Sequence, residues 1–283
     1  MTANDTKLPG VALIGGGQMA RALIGGWCAQ GALAGSIAVA DPSAQQRDWL
    51  GTAFPGLRLE SDNAAAAAHA GVWLLAVKPQ MLAGVARALA PLAAAARPLV
   101  ISIAAGIRAA DLRRWLGPGP TIVRAMPNRP ALIGAGVSAL YAGPEVPDSA
   151  RSVATQLLKA VGSVVWVGSE GELDAVTAVS GSGPAYFFLL IELLEAAAIA
   201  QGLSPPVARR LAVDTAAGAS RMAAMSADDP ATLREQVTSK AGTTAAALAV
   251  LESADLRGIV ARAVAAAAQR SRELADEFGR DPS

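Results

Sequence analysis

The stretch Gly10-Val-Ala-Leu-Ile-Gly15-Gly-Gly-Gln-Met-Ala20 decides the fold. Residues 10–14 form a short apolar run of strand length, and Gly15-Gly16-Gly17 ends it. Residues 19–27 then read as a helix. A strand that ends in Gly15-x-Gly17-x-x-Ala20 and opens a helix is the setting in which a glycine loop holds a dinucleotide. Gly15 permits the tight turn, Gly17 lets the backbone approach a pyrophosphate, and Ala20 is small enough for close helix–strand packing. The phosphates would rest on free N–H groups at the helix N-terminus. A plain structural turn between strand and helix is the alternative reading of the same glycines.

Outward from this loop the pattern repeats. Residues 36–40 are the next extended run, closed by Asp41-Pro42, and further extended runs follow at 57–60, 72–77, 99–103, 121–125, 137–141 and 164–167. Alanine-rich helical stretches such as 63–70 and 81–92 separate the early ones. Strand alternating with helix predicts a doubly wound, Rossmann-type α/β sheet, finishing in closely spaced strands after Thr121. Past Gly168 the chain reads as helix only, with Ser204-Pro205 and Asp229-Pro230 as helix starts. The expected organisation is a dinucleotide-binding domain at 1–168 and an all-helical domain for substrate binding and dimerisation at 169–283.

Composition narrows the function. A net charge of +1 with 17% charged residues offers no basic face for nucleic acid. The hydrophobic content is 53%, but the most apolar stretch, 185–200, is interrupted by Glu192 and Glu195 and reads as a helix buried in protein, not one crossing a membrane. Asp5 and Lys7 near the start argue against a signal or transit peptide. One cysteine, Cys28, forbids an internal disulfide and suits a reducing cytoplasm. One histidine, His69, leaves no Cys/His metal cluster and no Ser-His relay. Cys28 reads as a packed small residue and His69 as surface or boundary. Asp41 at the end of the second strand could accept both ribose hydroxyls and favour NADH, while Ser43 and Arg47 could hold a 2′-phosphate. Both cofactors, NADH and NADPH, stay open.

Six segments occur in order: Ile14-Gly-Gly-Gly-Gln-Met-Ala20, Ala76-Val-Lys-Pro-Gln80, Ser102-Ile-Ala-Ala-Gly106, Arg124-Ala-Met-Pro-Asn128, Ser180-Gly-Ser-Gly-Pro-Ala-Tyr186 and Val237-Thr-Ser-Lys-Ala-Gly-Thr-Thr244. The series resembles the pyrroline-5-carboxylate reductases, from about residue 10 to 277, and its last two segments are the most specific. The resemblance implies an oxidoreductase that reduces 1-pyrroline-5-carboxylate to L-proline with NADPH or NADH. It implies cofactor contacts at Ile14, Gly15, Gly16, Gly17, Gln18, Met19, Asp41, Ser43, Asn63, Ala76, Val77, Lys78, Pro79, Ile103, Ala104 and Ala105. By the same resemblance Ser239, Gly242, Thr243 and Thr244 contact substrate, Gln236 and Glu170 border it, and Thr244 serves the ring nitrogen as the catalytic group. Two residues depart from the family pattern: Arg129 stands where Met-Pro-Asn-Thr-Pro has threonine, and Lys240-Ala241 replace Pro-Gly in Ser-Pro-Gly-Gly.

The residues are consistent with this chemistry on their own terms. Hydride transfer to a C=N bond asks the protein mainly for orientation and electrostatics, so a chain with one histidine suffices. The substrate carboxylate needs an anion site, and Gly242-Thr243-Thr244 opens the helical run 245–252 with backbone N–H groups and two hydroxyls. The other reading of those residues is a plain helix cap. Ser180-Gly-Ser-Gly-Pro184 has no base to activate a serine and reads as a break in a long helix. Residues 186–199, apolar on nearly all faces, call for cover by a partner subunit, a homodimer or a multiple of dimers. A β-hydroxyacid dehydrogenase or related imine reductase is the rival enzyme; such dehydrogenases use a lysine on the first helix of the second domain, and residues 173–201 contain none. A non-catalytic cofactor-binding regulator would have no need of Gly242-Thr243-Thr244.

Overall fold

The computed structural model describes residues 10–32 and 34–280; Asp5 and Lys7 lie outside them. The chain forms two compact units. Unit 1 joins the residues up to Gly181 with those from Ala267 on, and unit 2 is Ser182–Ala266.

Unit 1 is built on β1 (Val11–Ile14), β2 (Ile37–Ala40), β3 (Arg58–Glu60), β4 (Val72–Leu75), β5 (Leu99–Ser102), β6 (Thr121–Met126), β7 (Gly136–Ala142) and β8 (Gly162–Trp166). They form one sheet in the order β3-β2-β1-β4-β5-β6-β7-β8. The first six are mutually parallel. Helices α1 (Gln18–Ala29), α2 (Ala44–Ala53), α3 (Asn63–Ala67), α4 (Pro79–Ala96) and α5 (Ala109–Leu116) follow the first five strands in turn. In β1, Val11 and Leu13 join one core while Ala12 and Ile14 join the other. A strand buried on both faces needs apolar residues at successive positions, which is why these strands read as unbroken apolar runs. Residues 127–135, including a 3-10 turn at Arg129–Ile133, link β6 to β7. That is shorter than the dozen or so residues a parallel crossover requires. So β7 pairs antiparallel with β6, and α6 (Asp148–Lys159) then carries the chain to β8, parallel to β7.

The composition change at Gly168 marks the end of the last strand, whereas the compact units part after Gly181. Unit 1 keeps α7 (Glu172–Val176) and the π-helical turn Thr177–Gly181, because Leu173 and Ala178 are buried there. The break expected at 180–184 is therefore a π turn followed by a fresh helix start, with Pro184 in its first turn. The end of α12 (Leu256–Phe278) also belongs to unit 1. Its Ser271 hydroxyl donates to Asp174 at 2.6 Å, Arg108 pairs with Asp276 at 3.0 Å, and Phe278 packs on the second core.

Unit 2 contains α8 (Gly183–Ala200), α9 (Pro205–Met225), α10 (Pro230–Gln236), α11 (Thr243–Ser253) and the start of α12. The proline at the head of α8, α9 and α10 fits a position whose N–H has no helical acceptor. Asp229 caps α10, accepting from Thr232 N at 2.8 Å; Ser204 precedes α9 without a side-chain bond. α8 packs on α9.

Gly26 shows how tightly α1 is seated. A methyl group there would lie 2.5 Å from the Ala160 carbonyl oxygen and 2.8 Å from Val161 Cγ1. Alanine is the better helix former by about 1 kcal/mol, yet overpacking of this kind costs roughly 1–3 kcal/mol. Gly26→Ala is therefore expected to lower the urea midpoint of unfolding. An unchanged or raised midpoint would show that the 160–161 segment yields without cost.

Candidate functional site

The chain leaves β1 toward β2 and β3 on one side and reaches β4 and β5 on the other, so the strand order reverses beside β1. Ligands of open α/β sheets bind at such a switch point, outside the carboxyl ends of the strands. The loops found there carry most of the expected cofactor contacts: residues 14–19 after β1, Asp41 and Ser43 after β2, 76–79 after β4 and 103–105 after β5. Asn63 opens α3, just past β3.

The glycine loop is shaped by two constraints. Gly15 has φ of +103°, and a Cβ on it would sit 2.9 Å from the carbonyl carbon and oxygen of Ala76. Gly17 is the N-cap of α1, no side chain caps that helix, and a Cβ added at Gly17 meets nothing within 4 Å. The first N–H groups of a helix have no acceptor within it. They stand here beside open space with the positive end of the helix dipole, which fits a pyrophosphate. Ala20, in the third fingerprint position, is fully buried.

Asp41 is more than a ribose partner in waiting. Its Oδ2 accepts from Gly16 N at 2.9 Å and its Oδ1 from Ser43 N at 2.9 Å. The carboxylate thus ties the end of β2 to the glycine loop, with lone pairs left on both oxygens. Arg47 donates to the carbonyls of Asp41 (2.7 Å) and Pro42 (3.0 Å), which brings its cation to the same corner. The Ser43 hydroxyl accepts from Gln46 N at 3.3 Å and caps α2. Lys78 is exposed at the N-cap of α4.

In unit 2, Ala241 is held at φ of +56° and leads into Gly242, the N-cap of α11. No side chain bonds the first N–H groups of α11. Neither Thr243 nor Thr244 caps it, and their hydroxyls bond to no described group. Gly242 N donates to Ser239 O at 3.1 Å, and the Ser239 hydroxyl lies where a Cβ on residue 242 would fall. Gln236 donates to Asp228 at 2.8 Å. The left-handed region is open to glycine and costly to alanine, so Ala241 carries backbone strain that a glycine there would not. Lys240 and Arg129, the other departures, are exposed.

Glu170 lies in unit 1 with its carboxylate already engaged. Oε1 accepts from Ala109 N, at the start of α5, at 2.6 Å and from Arg124 Nη1 at 3.1 Å. Burial pulls the Arg124 guanidinium below its usual range, and Glu170 pulls it back up. His69 is exposed just past α3, and Cys28 is half-buried against the sheet, its thiol pushed up by burial. Sequence reasoning did not single out Gln46 and Arg21. The Gln46 amide nitrogen donates to Gly16 O, and its oxygen accepts from Arg21 at 2.6 Å. Asn128, the last residue of the segment 124–128, accepts from Val137 N at 2.9 Å and donates to Ser180 O at 3.1 Å.

A mostly parallel sheet with a bare glycine loop at its switch point and an acid closing β2 defines a Rossmann-type nicotinamide-dinucleotide oxidoreductase. Residues 10–106 match the family described as NADP oxidoreductase, coenzyme F420-dependent, and residues 170–274 match pyrroline-5-carboxylate reductase dimerisation. The chain is 47% identical over 271 residues to the pyrroline-5-carboxylate reductase of Pseudomonas aeruginosa, covering 96% of this chain and 98% of that one. The solved pyrroline-5-carboxylate reductase of Coxiella burnetii superposes with a TM-score of 0.90 at 38% identity, over 95% of this chain and 99% of that chain. The Plasmodium falciparum enzyme, solved with NADP bound, gives 0.83 at 28% identity over 94% and 98%. The chain belongs to the pyrroline-5-carboxylate reductase family.

If Asp41 serves the adenosine ribose as well as Gly16, Asp41→Ala will weaken both cofactors through the loop but NADH more than NADPH, because the same change removes repulsion of a 2′-phosphate. Titration of wild type and variant with each cofactor checks this. An unchanged ratio of the two dissociation constants would leave Asp41 with the loop alone.

Proposed function

We propose that this chain reduces 1-pyrroline-5-carboxylate to L-proline, with NADPH or NADH on the loop 15–20 and the substrate carboxylate on the N-terminus of α11. The observation that carries the second half is the bare start of that helix: an N-cap glycine, no side-chain cap, and two threonine hydroxyls without a described partner. With glycine at the N-cap, no side chain competes for the first N–H groups of the helix. Left free, the N–H groups and hydroxyls form an anion cradle without arginine.

The reduced nicotinamide, when bound, supplies the hydride. Gly15, Gly16 and Gly17 with Gln18 and Met19 receive its pyrophosphate, Asp41 and Ser43 stand at the adenosine ribose, and segments 76–79 and 103–105 line the remainder. The backbone of Gly242, Thr243 and Thr244 holds the substrate carboxylate, and Ser239 and Gln236 border it. Glu170, which the resemblance sets at the border of the substrate, lies in unit 1 with its carboxylate kept in place by Ala109 N and Arg124. Reduction puts hydride on carbon and leaves a proton on nitrogen, so charge at the ring nitrogen changes as the reaction proceeds. The Thr244 hydroxyl is the group we assign to that atom. Consumption of NADH or NADPH that depends on pyrroline-5-carboxylate, with proline as product, tests the assignment of activity; its absence would overturn it.

The second part of the reading concerns assembly. Phe187, Phe188, Leu189, Leu190, Leu193 and Leu194 of α8 are each at least 50% exposed in the single chain. The helical run Glu172–Ala200 is long and apolar enough to cross a membrane by length and composition. It lies within the region that matches a dimerisation family, so we assign its cover to a second copy of the chain, in a cytoplasmic homodimer or multiple of dimers. Sedimentation at sub-micromolar concentration should find no monomer; a stable, active monomer would contradict the reading.

Thr244 is the sharper test. A donor or acceptor aligned with developing charge contributes about 2.7–4 kcal/mol, or about 100- to 1,000-fold in kcat. Thr244→Ala and Thr244→Val should show that loss, Thr244→Ser should retain most activity, and cofactor affinity should hold in all three. Should Thr244→Val stay within about threefold of wild type in kcat/KM, a difference of about 0.7 kcal/mol, the residue is no more than part of a helix start.

A further inference from the structure

Beside the cofactor loops, unit 1 has a cavity of about 580 Å³ lined by α1, α2 and the 129–134 turn. Its lining includes the rings of Trp49 and Phe54, the side chain of Leu132, and two cations, Arg21 and Arg129, but no carboxylate. No described carboxylate pairs with either arginine. The Arg21 guanidinium lies 3.6 Å above the Trp49 ring, and its Nε–H is buried without an acceptor. A mostly apolar hollow with a few convergent polar groups is the ordinary form of a small-molecule site. Two unneutralised guanidinium groups make its preferred guest an anion.

We infer that this cavity binds a small organic anion, a carboxylate or phosphate on a flat apolar body, and that its occupancy is felt at the cofactor loop. The anion meets Arg21 and Arg129, and the apolar body packs among Trp49, Phe54 and Leu132. Arg21 reaches the loop through one residue: its Nη2 donates to Gln46 Oε1 at 2.6 Å, and Gln46 donates in turn to Gly16 O. A guest that draws Arg21 away from Gln46 alters the hold on Gly16. Coupling between two binding sites is reciprocal, so cofactor must change the affinity for the guest by the factor by which guest changes the affinity for cofactor. The coupling rests on the reading of loop 15–20 as the cofactor site, whereas binding in the cavity does not.

The structure supplies its own reporter. Trp27, Trp73 and Trp115 are buried and Trp166 is half-buried, while Trp49 is 43% exposed in the cavity wall. The experiment titrates the intact protein, without substrate, with benzoate, phenyl phosphate and uncharged benzyl alcohol, following tryptophan emission excited at 295 nm. Saturable quenching by at least one of the two anions and not by the alcohol is expected; the tighter anion identifies carboxylate or phosphate as the natural group. The signal should vanish in Trp49→Phe, and the affinity should fall at least tenfold in Arg129→Ala and Arg21→Met. Should Arg21→Met fail to fold, Arg129→Ala on its exposed turn carries the test. Repeating the titration with saturating NADH should shift the Kd of the probe at least twofold without abolishing binding. No saturable signal, or a Kd unchanged in Arg129→Ala, overturns the site. Strict competition with NADH places the probe in the cofactor cleft and overturns it too, and a Kd indifferent to NADH overturns the coupling. Because no turnover is measured, these outcomes are separate from failure of the proline-forming activity.

Discussion

A methyl group on residue 15 would lie 2.9 Å from the carbonyl of Ala76, and φ at that residue is +103°. Both facts exclude a side chain, and much else depends on the exclusion. With Gly15 against β4, its N–H reaches Ala40 O on β2 at 2.8 Å, so three strand ends meet at one residue. Gly16 then falls under the Asp41 carboxylate, and Gly17 begins α1 with its N–H groups beside open space. A bulkier residue at 15 would separate β1 from β4 at the level where the cofactor must lie.

Unit 2 answers to a different constraint. α8 carries successive large apolar side chains; α9 packs on it, and Phe187, Phe188, Leu189, Leu190, Leu193 and Leu194 stay exposed in the single chain. A helix apolar on all sides is stable in water only when every side is covered. The surface left bare lies in the region that matches a dimerisation family, which supports oligomerisation.

Much of the architecture was legible because it follows from short-range pattern. The runs at 57–60 and 99–103 became Arg58–Glu60 and Leu99–Ser102, and Asp229 caps the helix that Pro230 opens. The candidate site was legible as segments but not as partners. The position of Asp41 marks a ribose ligand, and nothing in its sequence neighbours tells that its carboxylate also holds Gly16 N–H. Ser43 points by position toward the cofactor, yet its hydroxyl caps α2. Glu170 points by resemblance toward substrate, and its bonds to Ala109 N and Arg124 depend on folding across the intervening strands.

By itself the sequence determined what neighbouring residues can settle among themselves: which runs are strands or helices, where glycine must turn the chain, and that Gly242-Thr243-Thr244 leads into a helix. Those outcomes follow from torsional preference and from apolar spacing, which act over a few residues. Only the tertiary structure decided which groups that are distant in sequence would meet. It returned the end of α12 to unit 1 through Ser271 and Asp174, moved the unit boundary from Gly168 to Gly181, and enclosed Arg21 with Trp49 beside Arg129. Periodicity states that a face must be buried, but the choice of neighbour is made by shape and by the pairing of buried polar groups, and both exist only once the chain has folded.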